Sequence, residues 1–158
     1  MPVIKIETII NPPLEIVFDL SRSIDLHKIS AEKTKEEAIS GKVSGLINTG
    51  ETVTWKAKYF GFYQKLTVKI TELDFPNYFS DEMVKGVFNS FTHKHEFKKI
   101  DGNTLMTDYF NYKSPYEFLG RIINKIFLEN YMKNFLLERN QIIKEFSETD
   151  KWKLVLKN

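Results

Sequence analysis

Six of the seven glycines lie between positions 41 and 102, and they separate short segments in which apolar and polar residues alternate. An alternation with a period of two, interrupted by glycine-containing turns, is typical of antiparallel strands that bury one face. Residues 3–10 alternate in the same way. The pattern predicts an antiparallel sheet of about seven strands, at residues 3–10, 42–47, 51–59, 63–73, 78–84, 87–99 and 103–112.

Three other segments follow the helical period instead. Residues 12–20 and 22–29 predict two short helices after the first strand. From about 115 to 146, apolar side chains recur at helical spacing, which predicts a final helix of about 30 residues and roughly 45 Å. Residues 114–117 (SPYE) have the form of a capping box at its start. Because the apolar arc is wider than a surface helix needs, we expect the sheet to curve around this helix in an α+β fold.

Length and composition indicate one ordinary globular domain. The chain has 158 residues, of which 42% are hydrophobic and 28% charged. We expect residues 1–147 to form the domain and residues 148–158 to form a C-terminal tail without an assigned role. The polar residues 30–41 predict a mobile loop. Since no apolar stretch is long enough for a membrane span and the first residues lack a secretory signal, we expect a cytoplasmic monomer or homodimer.

Charge and residue usage exclude several classes of function. The chain has no cysteine, which excludes disulfides, thiolate metal sites and a cysteine nucleophile. Its 23 basic and 21 acidic residues are scattered along the chain, and only three of the basic residues are arginine. Nucleic acid is therefore not an expected partner. The chain has no Gly-X-Ser-X-Gly elbow, so its sequence gives no support for a serine nucleophile. It also has no glycine-rich loop of the kind that binds phosphate groups.

The pair Asp101-Gly102 is the sharpest local signal, because it favours a two-residue type I′ turn between the last two strands. If Ile100 and Asn103 flank this turn, His95 lies opposite Asp108, with their Cβ atoms about 4.5–5.5 Å apart. Alternation then predicts which other residues share this inward face. They are Phe91, His93, Phe97, Met106, Phe110 and Tyr112.

A second register follows from a turn at Phe60-Gly61. There Trp55 opposes Leu66 and Val53 opposes Val68, and these residues extend the same inward face.

The residues leave three interpretations of His95 and Asp108 open. They could form a buried pair in which each satisfies the other, or polar contacts for a ligand on an apolar wall. They could also form an acid–base pair in which Asp108 orients the imidazole. His93 with His95 and Asp108 has the composition of a two-histidine, one-carboxylate metal site. Because Glu96 is misplaced for the His-X-His motif of cupins, we expect no metal. His27 is interpreted as a surface or satisfied histidine.

The aromatic content is high, with 13 Phe, 7 Tyr and 2 Trp. Such rings fill a core or line a cavity. A strongly curved sheet that closes on one helix leaves space between the two. The candidate wall of that space comprises Trp55, Tyr59, Leu66, Val68, Phe91, Tyr112, Ile123 and Phe127, and the candidate polar end comprises His93, His95 and Asp108.

Several stretches together resemble the helix-grip superfamily, which includes START lipid-transfer domains, birch-pollen-allergen proteins and polyketide cyclases. They are residues 13–19 (PLEIVFD), 50–55 (GETVTW) with Phe60-Gly61, 91–97 (FTHKHEF), 104–108 (TLMTD) and 115–120 (PYEFLG). The likeness spans residues 3–146 and is strongest to a bacterial ligand-binding branch often labelled cell-division-inhibitor-like. It implies a curved sheet that grips the C-terminal helix around an apolar cavity. It also implies binding or carriage of hydrophobic small molecules, with cyclisation or dehydration in a minority of members.

We therefore expect a cofactor-free protein that binds an aromatic or acyl small molecule between the sheet and the final helix. A cyclase or dehydratase that uses His95 with Asp108 is the second hypothesis. An interaction module with a dry core is the third, and a cavity below roughly 300 Å³ would favour it.

Overall fold

The computed structural model describes residues 3–11, 13–59, 62–86, 88–113 and 124–156, with the backbone alone for residues 59, 62, 124 and 125. The described residues form seven strands, several helices and two irregular helical turns. In chain order these are β1 (Val3–Ile10), α1 (Leu14–Ser21), α2 (Ile24–Ser30), a 3₁₀ turn (Glu32–Thr34), β2 (Glu37–Gly41), β3 (Thr52–Tyr59), β4 (Phe62–Asp74), β5 (Tyr78–Lys85), β6 (Ser90–Ile100), β7 (Asn103–Lys113), a π-helical turn (Asn124–Leu128), α3 (Glu129–Glu148) and α4 (Trp152–Val155).

The seven strands form one antiparallel sheet in the order β1-β7-β6-β5-β4-β3-β2. Strands β2 to β7 therefore follow one another as hairpin neighbours, and β1 joins the far edge beside β7. The long helix α3 contacts β1, α1 and α2. This arrangement confirms the predicted α+β fold, with a seven-stranded antiparallel sheet, two short helices after the first strand and a long C-terminal helix.

The predicted register of the last hairpin is confirmed. Asp101 and Gly102 have φ angles of +48° and +79°, as a type I′ turn requires. The turn pairs Ile100 with Asn103 and brings His95 opposite Asp108. Because the side-chain period of a strand is two, this single turn places both residues on the buried face.

The predicted register of the β3–β4 hairpin is also confirmed. Val53 pairs with Val68, and Trp55 pairs with Leu66. All four side chains are buried or partly buried on the inner face of the sheet. The turn residues Phe60 and Gly61 that set this register lie outside the described residues.

One strand prediction was wrong in position. The strand expected at residues 42–47 lies at 37–41, inside the segment expected to be a mobile loop. Residues 42–47 instead pack against the junction of α1 and α2, where the Ile24 amide donates to the carbonyl oxygen of Gly45 and the Ile47 amide donates to that of Arg22. Backbone groups of residues 42–47 form hydrogen bonds with the α1–α2 segment, and β2 instead forms the edge strand of the sheet.

The described part of the C-terminal helix begins with the π-helical turn at Asn124 and continues as α3 to Glu148. The predicted start of this helix, including the capping residues 114–117, lies outside the described residues. Beyond α3, residues Trp152, Val155 and Leu156 are partly buried against the core. No helix within the described ranges is long and apolar enough to cross a membrane.

The helix α1 fills one part of the space over the sheet. Phe18 is fully buried, and its ring centroid lies 5.3 Å from that of Phe79 and 5.0 Å from that of Phe97. Such tilted and edge-on ring pairs add to the energy of apolar burial. The apolar packing under α1 fills this part of the inner face, and a cavity lies towards β3–β6 and α3.

Replacing Gly41 by alanine should destabilise the fold more than replacing Gly50. Both glycines have φ near +80°, a conformation that costs an alanine about 1–2 kcal/mol. A Cβ at Gly50 meets nothing within 4 Å, whereas a Cβ at Gly41 would collide with the backbone carbonyl of Thr52. We expect urea denaturation to show a loss of about 1–2 kcal/mol for Gly50→Ala and a larger loss for Gly41→Ala. Equal losses would contradict the edge pairing of β2 with β3.

Candidate functional site

A cavity of about 150 Å³ lies between the inner face of the sheet and α3, and its space continues to solvent on one side. Strands β3 to β6 supply one wall, and Met132, Phe135 and Leu136 of α3 supply the other. Most of the lining is apolar, so water gains few hydrogen bonds inside it. The volume is below the roughly 300 Å³ typical of pockets for drug-sized molecules. It therefore meets the condition expected of an interaction module, and it restricts any occupant of the enclosed part to a small molecule.

Six of the residues expected from the sequence to bind ligand line this cavity. They are Trp55, Leu66, Val68, Phe91, His93 and His95. They come from β3, β4 and β6, the strands whose registers the two hairpin turns set.

The other predicted wall residues have different surroundings or are not described. Tyr112 is fully buried and packs its ring against Phe88 and Phe110 outside the cavity lining. Phe127 lies on the π-helical turn with 55% of its surface exposed and is not part of the lining. The side chain of Tyr59 and the whole of Ile123 lie outside the described residues.

A buried polar cluster adjoins the apolar wall, and the carboxylate of Asp108 is at its centre. Asp108 is fully buried and accepts a hydrogen bond at Oδ1 from Nε2 of His93 over 2.8 Å. Its Oδ2 accepts from Nδ2 of Asn140 over 2.7 Å, and Nη1 of Arg139 lies 3.6 Å from Oδ1. Residues of β6, β7 and α3 thus meet at one carboxylate, which itself lies behind the cavity lining.

His95 lies between two carboxylates. Its Nε2 donates to Oδ2 of Asp81 over 3.0 Å, and its Nδ1 lies 3.0 Å from Oδ1 of Asp108, out of line for a hydrogen bond. The rings of Phe79 and His93 pack against the His95 ring, with centroids 4.2 Å and 3.8 Å away. The imidazole is therefore held in place by packing as well as by charge.

Asp81 is the functional candidate that the sequence pattern did not reveal. It lies on β5, where it pairs in register with His93, and its side chain is 16% exposed toward the cavity that it lines. Residues 86–89 connect β5 to β6, and they contain no turn signal as specific as Asp-Gly. The alternation of Phe79, Asp81 and Met83 on β5 is the signal that could have placed Asp81 on the inner face.

Arg139 and Asn140 of α3 were also not predicted. Both are buried. Arg139 donates from Nη2 to the carbonyl oxygen of Ser21 over 3.1 Å and from Nη1 to Oδ1 of Asn140 over 3.0 Å. Arg139 falls between Leu136 and Ile143 at helical spacing, so its position in a buried stripe is readable from sequence. Because charged residues are seldom buried, its residue type argues against that position.

The protonation states of the cluster follow from burial and from these contacts. Burial alone would raise the pKa of Asp108, but the adjoining imidazoles of His93 and His95 outweigh it and hold that pKa well below its usual range. The same competition, with His95 as the hydrogen-bond partner, lowers the pKa of Asp81. Burial and the neighbouring His95 lower the pKa of His93. At neutral pH both carboxylates are ionised and His93 is a neutral imidazole that carries its proton on Nε2.

A second polar pair lines another part of the cavity. Nε2 of His27 lies 3.1 Å from Oε1 of Glu36, and the His27 ring packs against Trp55 at 4.4 Å between centroids. Glu36 also accepts a hydrogen bond from the Thr34 hydroxyl over 2.9 Å. His27 is thus a satisfied histidine, as one of its two sequence interpretations has it, and it faces the cavity.

Comparison with known proteins supports the fold assignment. No family model and no curated protein matches this chain. Among solved structures, TTHA0849 from Thermus thermophilus superposes with a TM-score of 0.74 at 16% identity, over 91% of this chain and 95% of that one. Major latex-like protein 151 from Panax ginseng superposes with a TM-score of 0.69 at 15% identity, over 94% of this chain and 98% of that one. Ara h 8.0201 superposes with a TM-score of 0.61 at 12% identity, over 90% of this chain and 97% of that one.

The chain has the helix-grip fold. The superpositions cover at least nine-tenths of every chain involved, so the likeness extends through the sheet and the final helix. It confirms the fold that the resemblance in the local sequence signatures implies. At these identities it shows the shared architecture, and the chemistry of the site has to be argued from this chain's own residues.

Lowering the pH should destabilise this helix-grip domain through His93. Its pKa in the folded state lies below 6.5, the ordinary value. As the pH falls below about 6.5, the unfolded chain therefore binds this proton before the folded chain does, and the free energy of unfolding decreases. Thermal melts between about pH 7 and pH 5 should show a falling midpoint in the wild type and a smaller fall in His93→Gln. Parallel declines in the two proteins would contradict this assignment.

Proposed function

We propose that this protein binds a small apolar molecule in the cavity, with the polar end of the ligand at His93, His95 and Asp81. The single observation that supports it is an apolar hollow, open on one side, with the convergent polar side chains of Asp81, His93 and His95 on its wall. This is the usual composition of a small-molecule site. An engineered apolar cavity of about 150 Å³ holds one benzene ring, so the enclosed part suits a single ring or a short chain.

The polar end of the site favours a ligand that donates hydrogen bonds. Asp81 is an ionised acceptor on the cavity wall. His93 uses Nε2 to donate to Asp108, which leaves the lone pair of Nδ1 as a second acceptor. The Asp81 carboxylate, with Asp108 behind it, disfavours an anionic ligand at this end of the cavity. Arg22 and Arg139 also line the cavity, but they already donate hydrogen bonds to protein groups. A phenol-like molecule combines the required ring size with a donating hydroxyl.

Thermal shift with small aromatic probes tests this proposal. Phenol and p-cresol should raise the melting temperature in a concentration-dependent way, because a ligand that binds only the folded state stabilises it by mass action. Toluene should raise it less, and benzoate least. Leu66→Trp should abolish the shift by filling the cavity, whereas Lys65→Trp on the outer face of the same strand should retain it. Absence of any shift in the wild type would favour an interaction module with a dry core.

A second candidate function, acid–base catalysis, rests on the geometry of His93. The sequence pattern pointed to His95 with Asp108, but both nitrogens of His95 face carboxylates. His93 has Asp108 behind Nε2 at 2.8 Å, and the described residues give its Nδ1 no hydrogen bond. Nδ1 of His93 is therefore the better placed base, with Asp108 in the orienting role.

Proton transfer at this site has a direct readout. A ring-bearing ketone bound in the cavity should exchange its α-hydrogens with deuterium from solvent faster than the free ketone does, as followed by NMR. His93→Gln should remove the acceleration, and His27→Gln should retain it. Exchange that is equally fast in His93→Gln would leave passive binding as the function.

A further inference from the structure

Two imidazoles and one carboxylate converge at the polar end of the cavity. A carboxylate oxygen of Asp81 and one ring nitrogen each of His93 and His95 lie within 4.8 Å of one another. The three side chains project from neighbouring strands, β5 and β6, onto the same inner face. We propose that these three residues bind one divalent first-row transition cation, with zinc as the reference ion.

The donor set and the spacing suit such an ion. Imidazole nitrogens and a carboxylate oxygen are common ligands of zinc and of non-haem iron. Bonds of about 2.0–2.2 Å in a tetrahedral site place neighbouring ligand atoms roughly 3.3 Å apart. Nε2 of His95 and Oδ2 of Asp81 are already 3.0 Å apart. The ligand atoms lie within 4.8 Å of one another, so a bound cation would draw the more distant atoms closer by up to about 1.5 Å to reach this spacing.

Asp108 supplies the outer support that a histidine metal site needs. Metal-bound imidazoles usually direct their other nitrogen to a carboxylate, which fixes the ring orientation and the tautomer. Oδ1 of Asp108 lies 2.8 Å from Nε2 of His93 and 3.0 Å from Nδ1 of His95. The nitrogens that remain for a cation are Nδ1 of His93 and Nε2 of His95. Oδ2 of Asp108 is held by Asn140.

An unsatisfied atom supports the same assignment. Nδ1 of His95 is buried and has no hydrogen-bond partner among the described residues, and such atoms are uncommon in native proteins. When Nε2 of His95 binds a cation, the imidazole proton resides on Nδ1, 3.0 Å from Oδ1 of Asp108. A slight turn of the ring then converts a contact between two acceptors into a hydrogen bond.

The placement of the carboxylates also favours a cation. Asp81 lies on the cavity side of the two imidazoles and Asp108 on their far side, and Arg139 supplies one positive charge near Asp108. The exposure of Asp81 to the cavity leaves a coordination position for water or a ligand oxygen.

The sequence alone led to the opposite expectation because Glu96 is misplaced for the His-X-His motif of cupins, and the carboxylate considered with the two histidines was Asp108. Asp108 pairs with the far sides of both imidazoles, whereas Asp81 lies on the cavity side. The metal site does not rest on the proposed binding of a phenol-like molecule, and the two can fail separately.

The test uses tag-free, chelator-treated protein. Titration calorimetry with Zn²⁺ should show one ion per chain. Asp81→Asn and His93→Gln should weaken binding at least 100-fold, and Asp108→Asn should weaken it about 10- to 100-fold, as expected for an outer-shell group. His27→Gln is the matched control, because it removes an imidazole paired with Glu36 on the same cavity, and its affinity should equal that of the wild type.

Circular dichroism checks that each variant folds. In case one does not, binding of Co²⁺ to the wild-type chain gives a second readout. The intense visible bands of four- or five-coordinate Co²⁺ that zinc displaces would support the site. A weak, aquo-like spectrum, no bound ion, or zinc binding that Asp81→Asn and His27→Gln weaken equally would overturn it. A thermal shift by phenol in metal-free protein would keep the proposed ligand binding even then.

Discussion

The architecture depends on one buried carboxylate. Asp108 of β7 accepts from His93 of β6 and from Asn140 of α3, and Arg139 of α3 adds its charge nearby. An ionised group at full burial persists only where hydrogen bonds and opposite charge replace its water. Because its partners belong to different elements, the Asp108 carboxylate couples the register of the last hairpin to the position of the final helix.

The inner face of the sheet is not packed throughout. The space under α1 is filled by rings such as Phe18, whereas the cavity that Leu66 and Leu136 line is left open. Open apolar space forfeits packing energy, and a fold selected for stability alone would close it. A hollow beside a costly polar cluster is consistent with the proposed binding site, because natural proteins often give up stability for function.

The sequence predicts those parts of the site that depend on a single local rule. Asp101-Gly102 has one favoured turn, and from it alone His95 and Asp108 become neighbours on the buried face. To predict that Asp81 belongs to the site, the register of β5 on β6 would have to be known, and residues 86–89 between these strands contain no turn signal that specifies it. To predict Arg139, a charged residue would have to be placed in a buried helical stripe. Arg139 can occupy that position because Ser21, Asn140 and Asp108 surround it. Local propensity contains no information about such distant partners.

The two proposed roles of the cluster formed by Asp81, His93 and His95 both follow from which of its donors and acceptors are already paired. The donors of His93, His95 and Asn140 are spent on Asp108 and Asp81. At the end of the cavity formed by His93, His95 and Asp81, these hydrogen bonds leave mainly acceptors, namely the Asp81 carboxylate and the Nδ1 lone pair of His93. An acceptor set recruits either a hydrogen-bond donor or a positive ion, and it repels an anion. A phenolic hydroxyl and a divalent cation meet the same electrostatic demand, so a bound cation would change which ligand atom the site prefers, from a donating hydroxyl to a coordinating oxygen.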